Sequence, residues 1–334
     1  MTLPALEAVR DNFPSALITV LAKPWVLPLL ESHPAVDAVI PLKKGEGGGL
    51  TNIVNTIRVS GVIRRSRFDL AILFQNAFEA AFLAYLGGIK LRIGYNTDGR
   101  KFLLSHTVIR NDEILKLHQV EYYLSILRAM GWKADTKDPE LFVAKKDITA
   151  IHSLLLSKGI KEGDLLMGLS PGAIFGPAKR WPPQRFAVIG DRAVERWGAK
   201  VVILGSRREK DICMTLSRSM KYPSLNLCGR TTLVEAAALI RRCNFFLTND
   251  SGLMHISAAL NIPMVAIFGS TDSSVTGPRS QKARVVRHPV ECAPCFKKEC
   301  PLNFRCMSSI QTDDIWEEME KLKQNEKTGS FHRS

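Results

Sequence analysis

The sequence predicts an α/β protein built on doubly wound parallel sheets, and three observations carry that expectation. From about residue 165 onward, short apolar runs without sustained polar alternation recur, as strands buried on both faces require. Stretches with helical apolar spacing lie between them, so strand and helix alternate with short connections. Two strand ends, at 169–181 and 248–255, run through small residues towards a helix. That is the edge at which such sheets take their ligands.

In the second half, the apolar runs Leu165–Ser170, Lys200–Leu204, Ser224–Leu227, Phe245–Thr248 and Pro263–Phe268 are expected as strands. Helices are expected at Pro183–Trp197, Arg208–Met220, Thr232–Arg242 and Gly252–Leu260. The first half repeats the scheme less regularly. Its expected strands are Leu17–Leu21, Ala38–Ile40, Leu70–Phe74 and Leu91–Ile93. Its expected helices are Leu3–Asn12, Trp25–Glu31, Asn52–Arg65, Ala77–Leu86 and Leu117–Met130, with a loop at Gly45–Gly49. The stretch 132–150 is polar, offers no core element and reads as a linker. Two domains follow, 1–145 and 151–310, and then a C-terminal segment, 311–334. Its helix, about Asp313–Lys323, is expected to pack back on the first domain.

The chain opens inside a helix that feeds a strand, whereas a βαβ unit places a strand before that helix. The first domain is therefore expected to lack its first strand and turn.

Composition narrows the function. With 46% hydrophobic and 23% charged residues the chain is globular. The apolar stretch Phe78–Ile89 contains Glu79 and falls short of the ~18–20 residues that span a bilayer. The N-terminus lacks a basic region followed by an apolar one, so a cytoplasmic protein is expected. Net charge is +14: residues 1–150 hold 19 Lys and Arg against 15 Asp and Glu, and 151–334 hold 27 against 17. The excess lies mainly in the second half, which suits an anionic ligand there or a plain solvated surface.

The turn Leu169-Ser170-Pro171-Gly172 leads through Gly176 to Lys179, and the turn Asn249-Asp250-Ser251-Gly252 leads to His255. Backbone N–H groups at strand-to-helix turns and the helix dipole make an anion site suited to phosphate. Lys179 adds a mobile positive charge, and the pair of turns suggests a diphosphate-bearing ligand. Other readings stand beside these. Lys179 can be a solvated lysine, Asp250 a helix N-cap, and His255 a core histidine beside Leu253, Ile256 and Leu260. Glu209 can simply favour a helix dipole.

Four of the seven cysteines cluster as Cys292-x2-Cys295-x4-Cys300-x5-Cys306. Four thiolates can ligate structural zinc or an iron–sulfur centre. Reduced structural thiols or disulfides remain open alternatives. Cys213, Cys228 and Cys243 fall on expected core elements.

Taken jointly, these motifs resemble glycosyltransferase family nine, the ADP-heptose:lipopolysaccharide heptosyltransferases. The resemblance rests on Thr2 through Pro14, on Arg92-Ile93-Gly94-Tyr95 and on Lys179-Arg180-Trp181-Pro182. It continues through Thr248-Asn249-Asp250-Ser251-Gly252-Leu253-Met254-His255, Phe268-Gly269-Ser270-Thr271-Asp272 and the segment Cys292–Pro301. It implies a GT-B fold, two Rossmann-like doubly wound parallel-sheet domains facing across a cleft, with an N-terminal acceptor domain and a C-terminal ADP-sugar domain. It implies inverting transfer of L-glycero-D-manno-heptose to the inner core of lipopolysaccharide, with no cofactor required for the chemistry.

By the same resemblance, Pro171, Gly172, Lys179, Glu209, Asp250, Ser251, Gly252 and His255 form the donor site. Lys179 is expected on the diphosphate, Glu209 on the ribose, and Lys179, Asp250 and His255 in catalysis. The family's general base is an aspartate upstream of the residues matching Met1–Pro4, and nothing in the sequence corresponds to it. A start placed downstream, or a truncated product, is the expected reason. The implied partners are ADP-heptose and an anionic Kdo/heptose–lipid A acceptor, met by a monomer peripheral to the inner face of the cytoplasmic membrane. A catalytically impaired ADP-sugar-binding homologue is the alternative. A nucleic-acid-binding protein using the cysteine cluster and basic surface is a distant one, since no nucleic-acid-recognition signature is present. A nucleotide-sugar epimerase fits the fold but not the joint motifs.

Overall fold

The computed structural model describes residues 1–42 and 49–328, and the side chains of all of these except 49–53 and Lys327. Apart from Gly49, the expected loop at Gly45–Gly49 lies outside the described residues. The chain divides into two units, Met1–Lys137 and Asp138–Ser334. Eleven strands are described, and every pairing among them is parallel.

In the first unit these are β1 (Thr19–Ala22), β2 (Ala38–Pro41), β3 (Leu70–Leu73), β4 (Leu91–Tyr95) and β5 (His106–Val108). They form two small sheets, β1-β2 and β3-β4-β5, rather than one. Among the described residues, β1 and β3 each pair with a single neighbour. Helices supply much of the packing instead. Ala5, Ala8 and Val9 of the helix Leu3–Asn12 pack with Val120, Leu124 and Leu127 of the helix Gln119–Arg128. Arg100 is buried, and its guanidinium donates to the Tyr95 carbonyl at 2.9 Å and also to that of Gln75. One side chain thus ties the carboxyl ends of the β3 and β4 region together.

The second unit is one six-stranded sheet. Its strands are β6 (Leu166–Ser170), β7 (Lys200–Ile203), β8 (Ser224–Asn226), β9 (Phe245–Asn249), β10 (Met264–Ile267) and β11 (Ala283–Val286). They lie in the order β11-β10-β9-β6-β7-β8, the doubly wound arrangement with its switch between β6 and β9. Every residue of β6, β9 and β10 is buried, because helices cover both faces. Side chains alternate accordingly. Met167, Leu169, Phe245, Leu247, Val265 and Ile267 pack on one face with Phe186 and Ile189 of the helix Pro183–Trp197. Leu166, Phe246, Met264 and Ala266 pack on the other with Leu239 and Ile240 of the helix Leu233–Arg242.

Three expectations need correction. The stretch 132–150 is not a featureless linker. Ala134 is buried in the first unit, Leu141 donates its N–H to the Ala259 carbonyl at 3.0 Å, and a helix runs over Lys145–Ser157. Its polar opening Lys145-Lys146-Asp147 hides a stripe in which only Ile151 and Leu155 are buried. The final helix, Thr312–Thr328, spends its apolar face on the second unit, not the first. Ile315, Met319 and Leu322 join that unit's core, and Trp316 stacks on Trp197 with ring centroids 4.7 Å apart. Finally, the expected helix Arg208–Met220 begins as a 3-10 turn over Arg207–Glu209 before the α-helix Lys210–Ser219. No helix among the described residues is long and apolar enough to cross a membrane.

Leu322→Ala tests the corrected position of the final helix. A fully buried leucine truncated in a core costs about 2–5 kcal/mol, to be read as a lowered midpoint of urea unfolding. A loss under about 0.5 kcal/mol, the range of surface substitutions, would take the helix out of the core.

Candidate functional site

The switch between β6 and β9 brings together two chain segments about seventy residues apart. Asp250 and Ser251 connect β9 to the helix Gly252–Ala259, and Ser251 is the N-cap, its Oγ accepting the Met254 N–H at 3.4 Å. Asp250 is therefore not the cap, and its carboxylate is left for other work. A Cβ built on Gly252 would meet nothing within 4 Å, so the first turn of this helix opens onto free space. His255 sits in that turn, half-buried.

After β6 the helix begins at Pro183, as expected, and the twelve residues 171–182 before it form a loop with a single 3-10 turn, Pro177–Lys179. Pro171 and Gly172 are buried beneath it. The loop owes its shape to fixed anchors. The Asn249 amide donates to the Pro171 carbonyl at 2.7 Å and accepts the Trp181 N–H at 3.1 Å, so one side chain at the end of β9 holds both ends of the loop. Trp181 is fully buried and donates its indole N–H to the Ile310 carbonyl at 3.0 Å. Arg180 donates to the Ala173 carbonyl at 3.2 Å.

These anchors place Lys179 on Asp250. The ammonium donates to Asp250 Oδ2, with side-chain exposures of 13% and 6%. The Thr271 hydroxyl donates to the same oxygen at 2.6 Å. The ammonium also lies 4.7 Å from the centroid of the half-exposed Phe175 ring. Lys179 is thus held by a carboxylate, an aromatic face and the loop geometry, at the carboxyl edge of the sheet. A buried ion pair with an added hydrogen bond satisfies both charges without water.

Glu209 borders the same edge from β7. It is buried, and its Oε2 accepts the Ser206 N–H at 2.7 Å, which closes the turn opening Arg207–Glu209. A Cβ on Gly172 would come 2.1 Å from Glu209 Oε1, so the absence of a side chain at Gly172 is what lets the carboxylate approach the β6 loop. The structure therefore gives Glu209 the capping duty and also aims its second oxygen at the loop.

The structure brings Lys179 and Asp250 into direct contact and sets Pro171, Gly172 and Glu209 beside one another. Ser251, Gly252 and His255 follow on the adjoining helix start. Asn249, Thr271, Phe175 and Trp181 complete the arrangement, though the sequence reading gave them no role. Asn249 and Thr271 stand inside motifs that were read, and only the pairing across β6 and β9 reveals what they hold. Cys292, Cys295, Cys300 and Cys306 lie in and just after the loop that follows β11, all as free thiols. Fixed dipoles, a helix start that opens onto free space and an oriented lysine make this edge competent to bind a phosphate-bearing ligand.

Comparison with known proteins fits that geometry. The model of glycosyltransferase family 9 (heptosyltransferase) matches residues 57–304. Lipopolysaccharide heptosyltransferase 2 of Escherichia coli (strain K12) is 33% identical over 294 residues, covering 84% of this chain and 82% of that protein. Lipooligosaccharide heptosyltransferase 2 of Haemophilus influenzae is 32% identical, again over 84% and 82%. The solved structure of the E. coli ADP-heptose lps heptosyltransferase II is 27% identical, with a TM-score of 0.84 over 98% of this chain and 95% of that one. With matches extending along most of both chains, this chain belongs to glycosyltransferase family 9, the heptosyltransferases, and its two Rossmann-like units are of the GT-B type.

Proposed function

We propose that the chain transfers heptose from ADP-L-glycero-D-manno-heptose to the inner core of lipopolysaccharide with inversion, and that its second unit holds the donor. The observation that carries this reading is the Lys179–Asp250 pair at the β6/β9 switch, beside an open helix start. The relative solved from E. coli, described as an ADP-heptose enzyme, supports the choice of donor.

In this reading the diphosphate settles over Gly252, and Lys179 exchanges Asp250 for phosphate oxygens. Glu209 Oε1 takes the ribose hydroxyls, while Oε2 keeps its bond to the Ser206 N–H. As an acceptor hydroxyl attacks the anomeric carbon, the bond from that carbon to the β-phosphate oxygen breaks, and its electron pair leaves with ADP. Lys179 and the helix-start N–H groups face the charge that develops there, and so favour the transition state over the ground state. Ser251, Gly252 and His255 border the heptose. These residues account for the donor half of the reaction; the acceptor hydroxyl and the base that takes its proton lie outside them. The acceptor is an anionic glycolipid, met by a monomer peripheral to the cytoplasmic face of the membrane, and the net charge of +14 supports attraction to such an anionic surface.

Equilibrium binding of ADP, UDP and GDP tests the donor assignment. ADP is expected to bind most tightly, and Lys179→Ala to weaken it about 10–100-fold, the worth of a charge-assisted hydrogen bond. No preference for ADP, or no effect of the substitution, would overturn the assignment. ADP binding without transfer of heptose to a Kdo–lipid A acceptor would instead favour an impaired homologue.

The ion pair makes a separate prediction for stability. Asp250→Ala strands a largely buried ammonium and is expected to cost about 3–5 kcal/mol. Adding Lys179→Ala should restore part of that loss in urea titrations, a coupling that independent sites would not show.

A further inference from the structure

Between β11 and the helix Arg305–Ser308, the eighteen residues 287–304 contain no helix or strand. Irregular loops beyond about 12–15 residues are uncommon in compact domains and usually have a function. Little apolar burial holds this one. Val290 and Ala293 reach the core, but Phe296, Leu302 and Phe304 are exposed. The backbone is nevertheless tightly bent, with φ of +55° at Phe296, +51° at Asn303 and +54° at Phe304. Left-handed backbone costs a residue with a side chain roughly 1–2 kcal/mol, and it persists only where the surroundings impose it.

The cysteines are the chemistry this loop does hold in common. The Cys300 sulfur accepts two backbone N–H groups, from Leu302 at 3.3 Å and Phe304 at 3.2 Å. The two N–H groups, from the second and fourth residues after Cys300, wrap the backbone around that sulfur. Cys306 is buried at the start of the following helix. Among the described residues no three His, Cys, Asp or Glu side chains are already drawn together around a metal position.

The loop also abuts the donor edge through its main chain. The Ser270 carbonyl accepts N–H groups from Cys295 at 3.1 Å and Phe296 at 2.8 Å. The Lys298 carbonyl accepts the Ala178 N–H at 3.0 Å, next to Lys179. A Cβ on Gly176 would lie 2.3 Å from that carbonyl oxygen, so the two backbones touch there.

We propose that Cys292, Cys295, Cys300 and Cys306 bind one thiophilic divalent cation, zinc or ferrous iron, as a tetrahedral thiolate site that braces the turn carrying Lys179. Four sulfur ligands suit such an ion, at metal–sulfur distances of about 2.3 Å. Binding rotates the thiols inward and releases their four protons, leaving a centre of charge −2. Lys297, Lys298 and Arg305, carried beside the cysteines in sequence, offset that charge. The site takes no part in bond breaking. Its bracing of the Lys179 turn rests on the donor reading above, whereas its existence does not.

The test uses the full chain, purified under reducing conditions. Elemental analysis is expected to find one zinc or iron per chain, and Co2+ exchanged into the chelated protein should give the absorption bands of a tetrahedral thiolate complex. Chelation should lower the melting temperature, and Cys300→Ser or Cys306→Ser should abolish retention of the ion. Cys243→Ser, at a buried cysteine on another element, should retain it. Chains that carry no metal after growth with added zinc and iron, and that give no cobalt bands, would overturn the site. Disulfides among these four cysteines in the native protein would do the same. Chelation should also weaken ADP binding. Unchanged ADP affinity in a chain shown to have lost its ion would overturn the bracing, and failure of ADP to bind even the metal-loaded chain would count against the donor reading alone.

Discussion

Strand β6 lies between β7 and β9, and the chain leaves it in one direction along the sheet and returns on the other side. Connections that wind with one hand must then part above β6 and β9, which leaves a crevice that no helix fills. The principal features of the candidate site follow from that reversal. It sets the Pro171 loop against Asn249, puts Lys179 on Asp250, and leaves the helix beginning at Gly252 open above. Burial of β6 and β9 on both faces prevents either strand from sliding, since a shift of one residue would exchange the side chains packed on the two helical layers.

The electrostatics follow the same frame. An unpaired lysine at this depth would be costly, and an unpaired aspartate equally so; each resolves the other's desolvation. Thr271 and the Phe175 ring fix the geometry of the exchange partner without adding charge. In the proposed reading, an arriving diphosphate meets a cation already oriented, and replaces one anionic partner by another. The Asp250 carboxylate is then left with the Thr271 hydroxyl, so the aspartate need not be stranded when the lysine moves.

Much of the second unit was legible because its strands are continuous apolar runs: β6, β7, β9 and β10 fall within a residue or two of expectation. The strand β11 was not, since Arg284 breaks its short run, and β5 is only three residues long. The helix Lys145–Ser157 was hidden by its charged first turn. In the site, Lys179 and Asp250 were readable as residue types suited to an anion, but their pairing was not, because the partners stand 71 residues apart in sequence. Asn249 was invisible for the same reason: its two bonds reach Pro171 and Trp181, 78 and 68 residues away. Glu209 shows how two readings of one residue can coexist, since a carboxylate has two oxygens and the turn uses one.

The final helix has a consequence for biosynthesis. Met319 and Leu322 close the core beneath β10 and the helix Pro183–Trp197, yet they follow every strand of that core in the chain. Domains generally fold as units in the order of synthesis. The first unit can therefore mature on the ribosome, while the second must wait, one side of its core incomplete, until this helix emerges. Part of its apolar core is exposed to chaperones for that interval, and a chain stalled before this helix would present a finished first unit and an unfinished second one.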